Sequence, residues 1–347
     1  MFDDTLLDDP DALLAADTEL RRIADSGARV RRETDAAAEQ LTMLDNTSRP
    51  RAIVAAGSGG RLLRAVLEPS CPVPFVAWSG PGLPGWAGPL DLVVIAAPGA
   101  VDRATSAAAA EAVRRGCTVV ASCRPDGEVA LLLAGRYSTV LPAGDDLLAG
   151  SVVVLQALHL LGLGPTVDAD EVAAGLDEVA MDCSPFRAVD ANPAKQLAVA
   201  LGDCTPLLWG GSALAARAAR RIGEAVRRSA GRPTVADDAD HLLPVITGAP
   251  ARDVFADPFA DTSEGGDARI EPALVVVDDG TDEPVSGADR RLLTAACDER
   301  DFRVEVLTGH QGSPVARYAS LLAHGGYLAA YLRIGLQQPP GAPTEDV

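Results

Sequence analysis

The sequence predicts an α/β protein of two domains, each a parallel sheet between layers of helices. Three observations lead to this prediction. The chain has 347 residues, which is the length of two ordinary domains. Short, continuous apolar runs alternate with helical patterns along most of it, as expected for βαβ units whose strands are buried on both faces. In two places an apolar run leads through a glycine-rich turn into a helix, and each such unit opens one half of the protein.

The two glycine turns are the first candidate binding sites. One follows the apolar run 52–56, and the other follows Leu207, Leu208 and Trp209. Glycine lets the backbone come close to a ligand, and the next helix directs its free N–H groups and positive dipole end toward the turn. Such turns also occur for packing alone, so both roles stay open on this evidence. The predicted substrate-binding residues are Gly57, Ser58, Gly59, Gly60, Arg61, Gly210, Gly211 and Ser212.

The composition argues against several classes of function. The formal net charge of −19 disfavours nucleic-acid binding, because phosphate backbones need a basic surface. The amino terminus is acidic and lacks the basic-then-apolar order of a signal peptide. Gly, Pro or charged residues interrupt the apolar runs before they reach membrane-spanning length. We therefore expect a cytoplasmic protein that binds neither nucleic acid nor membrane, and whose charge serves solubility.

The cysteines do not form a metal-binding pattern. The sequence has no CxxC pair, and most of the thiols stand beside apolar residues, as buried cysteines do. We expect reduced, buried thiols, no metal site and no cofactor. The six positions are Cys71, Cys117, Cys123, Cys183, Cys204 and Cys297.

The first 50 residues are predicted to be helical. Residues 9–11 (Asp-Pro-Asp) are a helix start, with Pro in the first turn and acids near the positive end of the dipole. Leu20 and Ile23 recur at helical spacing, and a second, highly charged helical run covers 28–43. Neither helix has a core of its own, so we expect both to pack across the first domain or onto a partner subunit.

The rest of the chain divides into two α/β domains joined by helices. Predicted strands cover 52–56, 92–96, 117–121, 139–141, 207–209, 274–278 and 303–307. Residues 250–267 are rich in Asp, Gly and Pro and are predicted to form a mobile surface loop. The predicted boundaries are 1–50 for the helical segment, 51–150 for the first domain, 151–190 for the linking helices, 191–336 for the second domain and 337–347 for a loose tail.

Five short segments, taken in order, resemble the bifunctional phosphoglucose/phosphomannose isomerases, which are built from two sugar-isomerase (SIS) domains. The resemblance covers nearly the whole chain after residue 50, and it implies two SIS-type three-layer αβα domains with a cleft between them, in a homodimer. The matching segments are GSGG at 57–60, LPGWAG at 83–88, NPAKQLA at 192–198, RIGE at 221–224 with DH at 240–241, and the run 313–335.

The resemblance also implies a catalytic pair. In that family a glutamate moves a proton between C1 and C2 of an open-chain sugar phosphate, and a histidine lent by the neighbouring subunit helps to open the ring. Glu224 and His241 match these positions. An aldose–ketose shift needs a base over adjacent carbons and a second acid–base group at the ring oxygen. Without the resemblance, Glu224 would be a solvated residue among helix arginines and His241 an ordinary loop histidine.

The sequence departs from the family where the substrate phosphate binds. Arg61 stands where the first turn should carry a serine, and residues 96–101 (Ala-Ala-Pro-Gly-Ala-Val) have no hydroxyl at the three expected places. We find no arginine near 147–148, and Lys195 is the only lysine, so the family's lysine near the carboxyl end is absent. Four lost hydroxyl contacts at about 1.5–3 kcal/mol each would remove on the order of 6–12 kcal/mol of phosphate recognition.

Three residues could replace part of that recognition. Arg61 could act as a bidentate anion clamp, or it could be a surface helix arginine. Arg103 and Thr105, one turn beyond the altered loop, are weaker candidates.

Two functions therefore follow from the sequence. One is a glucose-6-phosphate/mannose-6-phosphate isomerase that uses Glu224 and His241. The other is a catalytically inactive homologue that binds a sugar derivative or has a regulatory role, and the missing hydroxyls favour it on physical grounds. In both cases the expected partner is a sugar phosphate or a related sugar derivative.

Overall fold

The computed structural model describes residues 2–44, 49–57, 59–97, 99, 102–250, 271–281 and 284–339. These residues form two compact units. The first contains Ala24–Glu178 and Gly312–Ala319, and the second contains 2–23, Val179–Gln311 and 320–339, within the described ranges. Each unit has one parallel sheet, as the sequence predicts. The chain is thus an α/β protein with two sheets between helices, and the domain boundaries given above remain a prediction.

The first unit contains a five-stranded sheet in the order β2-β1-β3-β4-β5, with every neighbouring pair parallel. Strands β1 and β3 are buried along their whole length, because helices cover both faces of the sheet. The strands are β1 (Ile53–Ala56), β2 (Phe75–Trp78), β3 (Leu92–Ala97), β4 (Thr118–Cys123) and β5 (Ser138–Pro142).

The helices of the first half follow the predicted periodicity closely. The helices α6 and α9 were not among the predicted elements. The helices of the chain up to the second sheet are α1 (Pro10–Ala15), α2 (Asp17–Ala24), α3 (Ser26–Thr42), α4 (Gly60–Leu67), α5 (Arg103–Arg115), α6 (Glu128–Leu132), α7 (Leu147–Leu160), α8 (Ala169–Asp182) and α9 (Pro193–Leu201). Asp9 caps α1 by accepting from the Ala12 N–H at 2.8 Å, and Pro10 follows it, which confirms the predicted helix start.

The second unit contains a four-stranded parallel sheet in the order β7-β6-β8-β9. Its strands are β6 (Cys204–Gly210), β7 (Val235–Ala236), β8 (Glu271–Asp278) and β9 (Val304–Thr308). Its later helices are α10 (Ala213–Ala230), α11 (Ala239–Gly248), α12 (Pro284–Asp298) and α13 (Pro314–Gly335). The two-residue strand β7 and the helix α11 were missed in the sequence. His241 therefore lies in a helix and not in the loop that its surroundings indicated.

Both sheets have a topological switch point. In the first sheet β2 and β3 lie on opposite sides of β1, and in the second β7 and β8 lie on opposite sides of β6. Open α/β sheets bind ligands at the carboxyl ends of the strands at such points. The two predicted glycine turns follow β1 and β6, so the fold puts each of them at the position where a ligand is expected.

The cysteines behave as the sequence predicts. Five are buried and Cys71 is half-buried, and all six are free thiols. Burial raises the pKa of Cys123 and Cys297 to about 11 and that of Cys183 to about 12, so these thiols stay protonated near neutral pH. No helix in the described part of the chain is long and apolar enough to cross a membrane. The predicted loop at 250–267 lies outside the described residues, apart from its first residue.

Candidate functional site

The first glycine turn closes tightly over helix α5. Gly57 has a φ of 79°, which disfavours other residues, and its N–H donates to the Trp78 carbonyl at 3.1 Å. A Cβ at this position would overlap Thr105 Oγ1. Position 57 thus requires glycine, because of its positive φ and because Thr105 leaves no room for a side chain. Ser58, the next residue of the predicted site, lies outside the described residues.

The next two glycines pack against the ends of the strands. A Cβ at Gly59 would lie 2.5 Å from the Ala96 carbonyl oxygen and 2.8 Å from the Ala96 Cβ, and one at Gly60 would lie 2.5 Å from the Ala55 carbonyl oxygen. Ala96 itself is fully buried. The packing role left open above therefore accounts for both glycines. Pro98, Ala100 and Val101 of the altered loop lie outside the described residues.

A carboxylate stands beside the first turn. Asp102 caps helix α5, with Oδ1 accepting from the Thr105 N–H at 2.8 Å and Oδ2 accepting from the Thr105 hydroxyl at 3.0 Å. Thr105 is buried, whereas Asp102 and Arg103 are exposed. The hydroxyl of Thr105 thus donates to Asp102. We call the carboxyl-end edge between β1 and β3, formed by Gly57, Gly59, Ala96, Asp102 and Thr105, the first crevice.

Two arginines lie near this edge of the first sheet. Arg61 is exposed at the second position of helix α4. Arg29, on α3, donates from Nε to Asp146 Oδ2 at 2.7 Å, and Asp146 also caps α7 by accepting from the Ala149 N–H. An arginine does reach the start of α7, which sequence reasoning missed because Arg29 is 117 residues away from Asp146 along the chain.

The second glycine turn is also tightly packed. A Cβ at Gly210 would overlap the backbone of Ala215, and one at Gly211 would come within 2.6 Å of the Ser286 Cβ. Ser212 caps α10 by accepting from the Ala215 N–H at 3.0 Å, and its hydroxyl donates to the buried Asp279 at 2.9 Å. A cleft of about 70 Å³ lies at the carboxyl-end edge of β6 and β8, and Asp278 in its lining pairs with Arg290 at 3.0 Å. As at the first turn, a carboxylate lies beside the second glycine turn, here that of Asp279.

The predicted base, Glu224, lies on α10 and is half-buried. Its Oε2 accepts from Arg221 Nη1 at 2.9 Å, one turn earlier on the same helix. This ion pair holds the carboxylate against the helix, so a substrate would have to compete with Arg221.

The predicted ring-opening group, His241, lies on α11 with 71% of its side chain exposed. Its Nδ1 is 3.3 Å from Asp237 Oδ1. The pKa of Asp237 is lowered, mainly by the hydrogen bond from the Asp238 N–H and further by His241 and Arg220. The predicted catalytic residues therefore lie on two different helices. Glu224 contacts Arg221 on its own helix, and His241 contacts Asp237, four residues earlier in the chain.

Lys195, the only lysine, cannot reach a substrate. Its side chain is fully buried, and Nζ donates to Asp8 Oδ1 at 2.8 Å, to the Pro185 carbonyl at 3.0 Å and to the Arg187 carbonyl at 2.8 Å. These three bonds use every N–H of the ammonium group. Within the described residues, no group of three or more His, Cys, Asp or Glu side chains could hold a metal ion.

Sequence reasoning missed Asp102 and Asp279 as site residues. Asp102 directly precedes a strong helix pattern, and an acid in that position is a recognised N-cap signal, so it could have been found. Asp279 is 67 residues from Ser212, and only the pairing of β6 with β8 brings the two together.

The comparisons with known proteins agree with this architecture. A model of the bacterial phospho-glucose isomerase C-terminal SIS domain matches residues 190–342. No curated protein sequence matches the chain.

Three solved structures illustrate the similarity of fold. The C-terminal domain of glucosamine-fructose-6-phosphate aminotransferase from Francisella tularensis has a TM-score of 0.62 at 13% identity, covering 94% of this chain and 98% of that one. Tagatose-6-phosphate ketose/aldose isomerase from Escherichia coli has 0.61 at 12%, covering 96% and 95%. A glucose-6-phosphate isomerase like protein from Thermus thermophilus has 0.56 at 18%, covering 98% and 96%. At these identities the likeness concerns the fold.

Proposed function

Because the chain belongs, through residues 190–342, to the bacterial phospho-glucose isomerase family of SIS-domain proteins, we propose that it binds a carbohydrate derivative and does not isomerise sugar phosphates. The observation that carries the proposal is the packing of Ala96 against Gly59 in the first crevice. A methyl group and a backbone carbonyl lie there, and neither can donate a hydrogen bond to a phosphate oxygen.

The replacement of a hydroxyl by the methyl group of Ala96 in the described part of the crevice matters, because phosphate recognition depends on hydrogen-bond donors. Hydrogen bonds to a charged group contribute about 1.5–3 kcal/mol each, and about 1.4 kcal/mol changes an affinity tenfold. The four hydroxyl contacts missing from the sequence, worth about 6–12 kcal/mol together, would thus weaken phosphate binding by about ten-thousandfold or more. The names of the similar structures associate the fold with sugar phosphates, which supports a carbohydrate derivative as the ligand class.

A second candidate is a sugar-phosphate isomerase that uses Glu224 and His241. The partial exposure of the Glu224 side chain favours this interpretation, because a general base must be within reach of the substrate. In that case His241 would act as the ring-opening group and Arg61 would supply the anion contact. The packed first crevice and the buried lysine argue against it.

Turnover of fructose 6-phosphate by purified protein separates the two candidates. We expect the wild-type protein and Glu224→Gln to give the same rate as buffer. Removing a positioned general base typically lowers a rate by a factor of about 10²–10⁴. The protein is an isomerase, and our proposal is wrong, if it isomerises the sugar phosphate and Glu224→Gln lowers the rate by such a factor. The control Glu128→Gln, at an exposed site, should then leave the rate unchanged.

Binding needs its own experiment. Isothermal titration with glucose, mannose, glucosamine, their 6-phosphates and nucleotide sugars should give saturable binding of at least one compound. If no compound binds, a ligand-binding role is wrong and only a structural or partner-binding role is left.

A further inference from the structure

A cavity of about 400 Å³ lies in the first unit, and none of the described residues of the glycine turns lines it. Its walls come from α3, from α7 and from the segment that leads into α8. Pockets that bind small molecules usually measure about 300–1,000 Å³, so this cavity is large enough for a small organic ligand. Its polar lining residues are Arg31, Thr34, Asp35, Gln156, Asp168 and Asp170.

Two oxygens of these lining residues have no hydrogen-bond partner among the described residues. They are Thr34 Oγ1 on α3 and Gln156 Oε1 on α7, and both are shielded from water although the two residues are only partly buried. A buried polar atom without a partner costs about 1–3 kcal/mol. A helical threonine has two accessible χ1 rotamers and the terminal torsion of glutamine is broad, so both oxygens can turn toward a ligand. Because an amide oxygen only accepts, Gln156 Oε1 requires a ligand that donates hydrogen bonds.

Carboxylates outnumber cations around the same cavity. Asp35, Asp168 and Asp170 are exposed in its lining, against the one guanidinium group of Arg31. That guanidinium already pairs with Asp177 Oδ2 at 2.8 Å. A cleft lined mostly by one sign of charge concentrates ions of the opposite sign. The lining therefore favours a ligand that is positively charged as well as rich in donors.

The carboxylates are too far apart to act on one small ion. Within the described part of the chain, no group of three or more His, Cys, Asp or Glu side chains could hold a metal ion. Asp35 lies on α3, whereas Asp168 precedes α8 and accepts from the Asp170 N–H at 2.9 Å. A molecule with two ammonium groups can reach separate carboxylates at once, and each primary ammonium group offers three N–H donors.

We propose that this cavity binds a small aliphatic amine with at least two ammonium groups. Asp35 on one wall and Asp170 on the other bind the ammonium groups, and Thr34 and Gln156 accept further N–H bonds. This site is separate from the proposed carbohydrate site, since the two share no described residue. Its test can therefore fail or succeed without deciding whether the protein binds a sugar.

Isothermal titration of the full chain with putrescine and with spermidine tests the proposal. The salt concentration should be about 0.15 M, where exposed charges more than about 8 Å apart are largely screened. Asp35→Asn removes one carboxylate of the lining, and Gln156→Met removes the amide at nearly constant volume. Glu39→Gln is the matched control, because Glu39 is an exposed acid on α3 that does not line the cavity.

We expect one molecule of at least one amine to bind per chain, with an affinity that Asp35→Asn and Gln156→Met each lower by about tenfold or more. Glu39→Gln should leave the affinity unchanged, and neither Mg²⁺ nor glucose should displace the amine. If Gln156→Met does not fold, the comparison of Asp35→Asn with Glu39→Gln decides, since both positions are exposed. The proposal is wrong if neither amine binds saturably. It is equally wrong if Mg²⁺ displaces the amine or if Asp35→Asn and Glu39→Gln have the same effect, because the attraction would then be that of any acidic surface.

Discussion

Replacing Lys195 with methionine is expected to lower the free energy of unfolding by about 3 kcal/mol. Breaking a buried charge pair typically costs about 3–5 kcal/mol, and each buried acceptor left without a donor costs about 1–3 kcal/mol. Asp8 is half-exposed and can be hydrated again, so the cost should lie near the lower limit. Methionine preserves most of the side-chain volume, which leaves the lost hydrogen bonds as the main effect.

The contacts of Lys195 explain why its loss should be so costly. The ammonium group joins Asp8, near the amino terminus, to two carbonyl groups in the turn 185–187, and it lies 5.5 Å from the centre of the Tyr331 ring. One side chain thus connects three segments that are far apart in the sequence. The hydrogen bond from Lys195 lowers the pKa of Asp8, so the part of the stability that comes from this pair should be lost as the pH falls through that lowered pKa.

Urea unfolding followed by tryptophan fluorescence measures this effect. Arg21→Met is the control, since Arg21 is 75% exposed in its ion pair with Asp17, and such surface pairs contribute about 0–1 kcal/mol. A Lys195→Met protein as stable as the control would contradict the role assigned to this residue.

Replacing Glu33 with glutamine is expected to stabilise the protein at pH 8 by about 3 kcal/mol and to leave its stability at pH 4 nearly unchanged. Glu33 is 3% exposed on α3, and neither of its carboxyl oxygens has a hydrogen-bond partner of good geometry among the described residues. Burial raises its pKa to about 7, and the nearby charge of Asp146 adds to the shift. The Gly144 N–H and the guanidinium groups of Arg32 and Arg29 act in the opposite direction.

The sign of the pH dependence follows from these values. The folded protein holds the Glu33 proton up to about pH 7, whereas the unfolded chain releases it near the ordinary value of 4.5. Between these values the folded state binds more protons, so stability falls as the pH rises from about 4.5 to about 7, and the loss stays constant above that range. A shift of this size corresponds to about 3 kcal/mol at about 1.4 kcal/mol per unit of pKa.

Urea midpoints between pH 4 and pH 8 test this prediction. The difference in stability between Glu33→Gln and the wild-type protein should grow with pH and level off near pH 7. Glu39→Gln, an exposed glutamate on the same helix, is the matched control and should follow the wild-type curve. If the Glu33→Gln and wild-type curves run parallel, the pKa of Glu33 is the same in the folded and unfolded states, and the environment assigned to this carboxyl group is wrong.

Much of the fold could be predicted from local patterns. Buried parallel strands must be apolar on both faces, so the runs 92–96 and 274–278, which lie within β3 and β8, are visible in the sequence. Strand β7 has two residues and leaves almost no pattern to detect. Helix α11 was missed because Pro244 stands in its interior, where proline usually indicates a break.

The site could be predicted only where its residues are close in sequence. The glycine turns were visible as local signals, and the structure puts both of them at switch points of the sheets. The pairs Arg29–Asp146 and Ser212–Asp279 join residues that only the tertiary fold brings together. The Asp102 cap of α5 is a local signal, whereas the close approach of Thr105 to Gly57 depends on the tertiary fold and cannot be read from residue spacing.

The most direct test of the account is the affinity of the wild-type protein for fructose 6-phosphate, measured by isothermal titration. If the described part of the first crevice presents Ala96 and the Asp102 carboxylate where a phosphate would need donors, no saturable binding should be seen at concentrations up to about 1 mM, the upper end of ordinary enzyme KM values. Saturable binding with a Kd well below that concentration would contradict it.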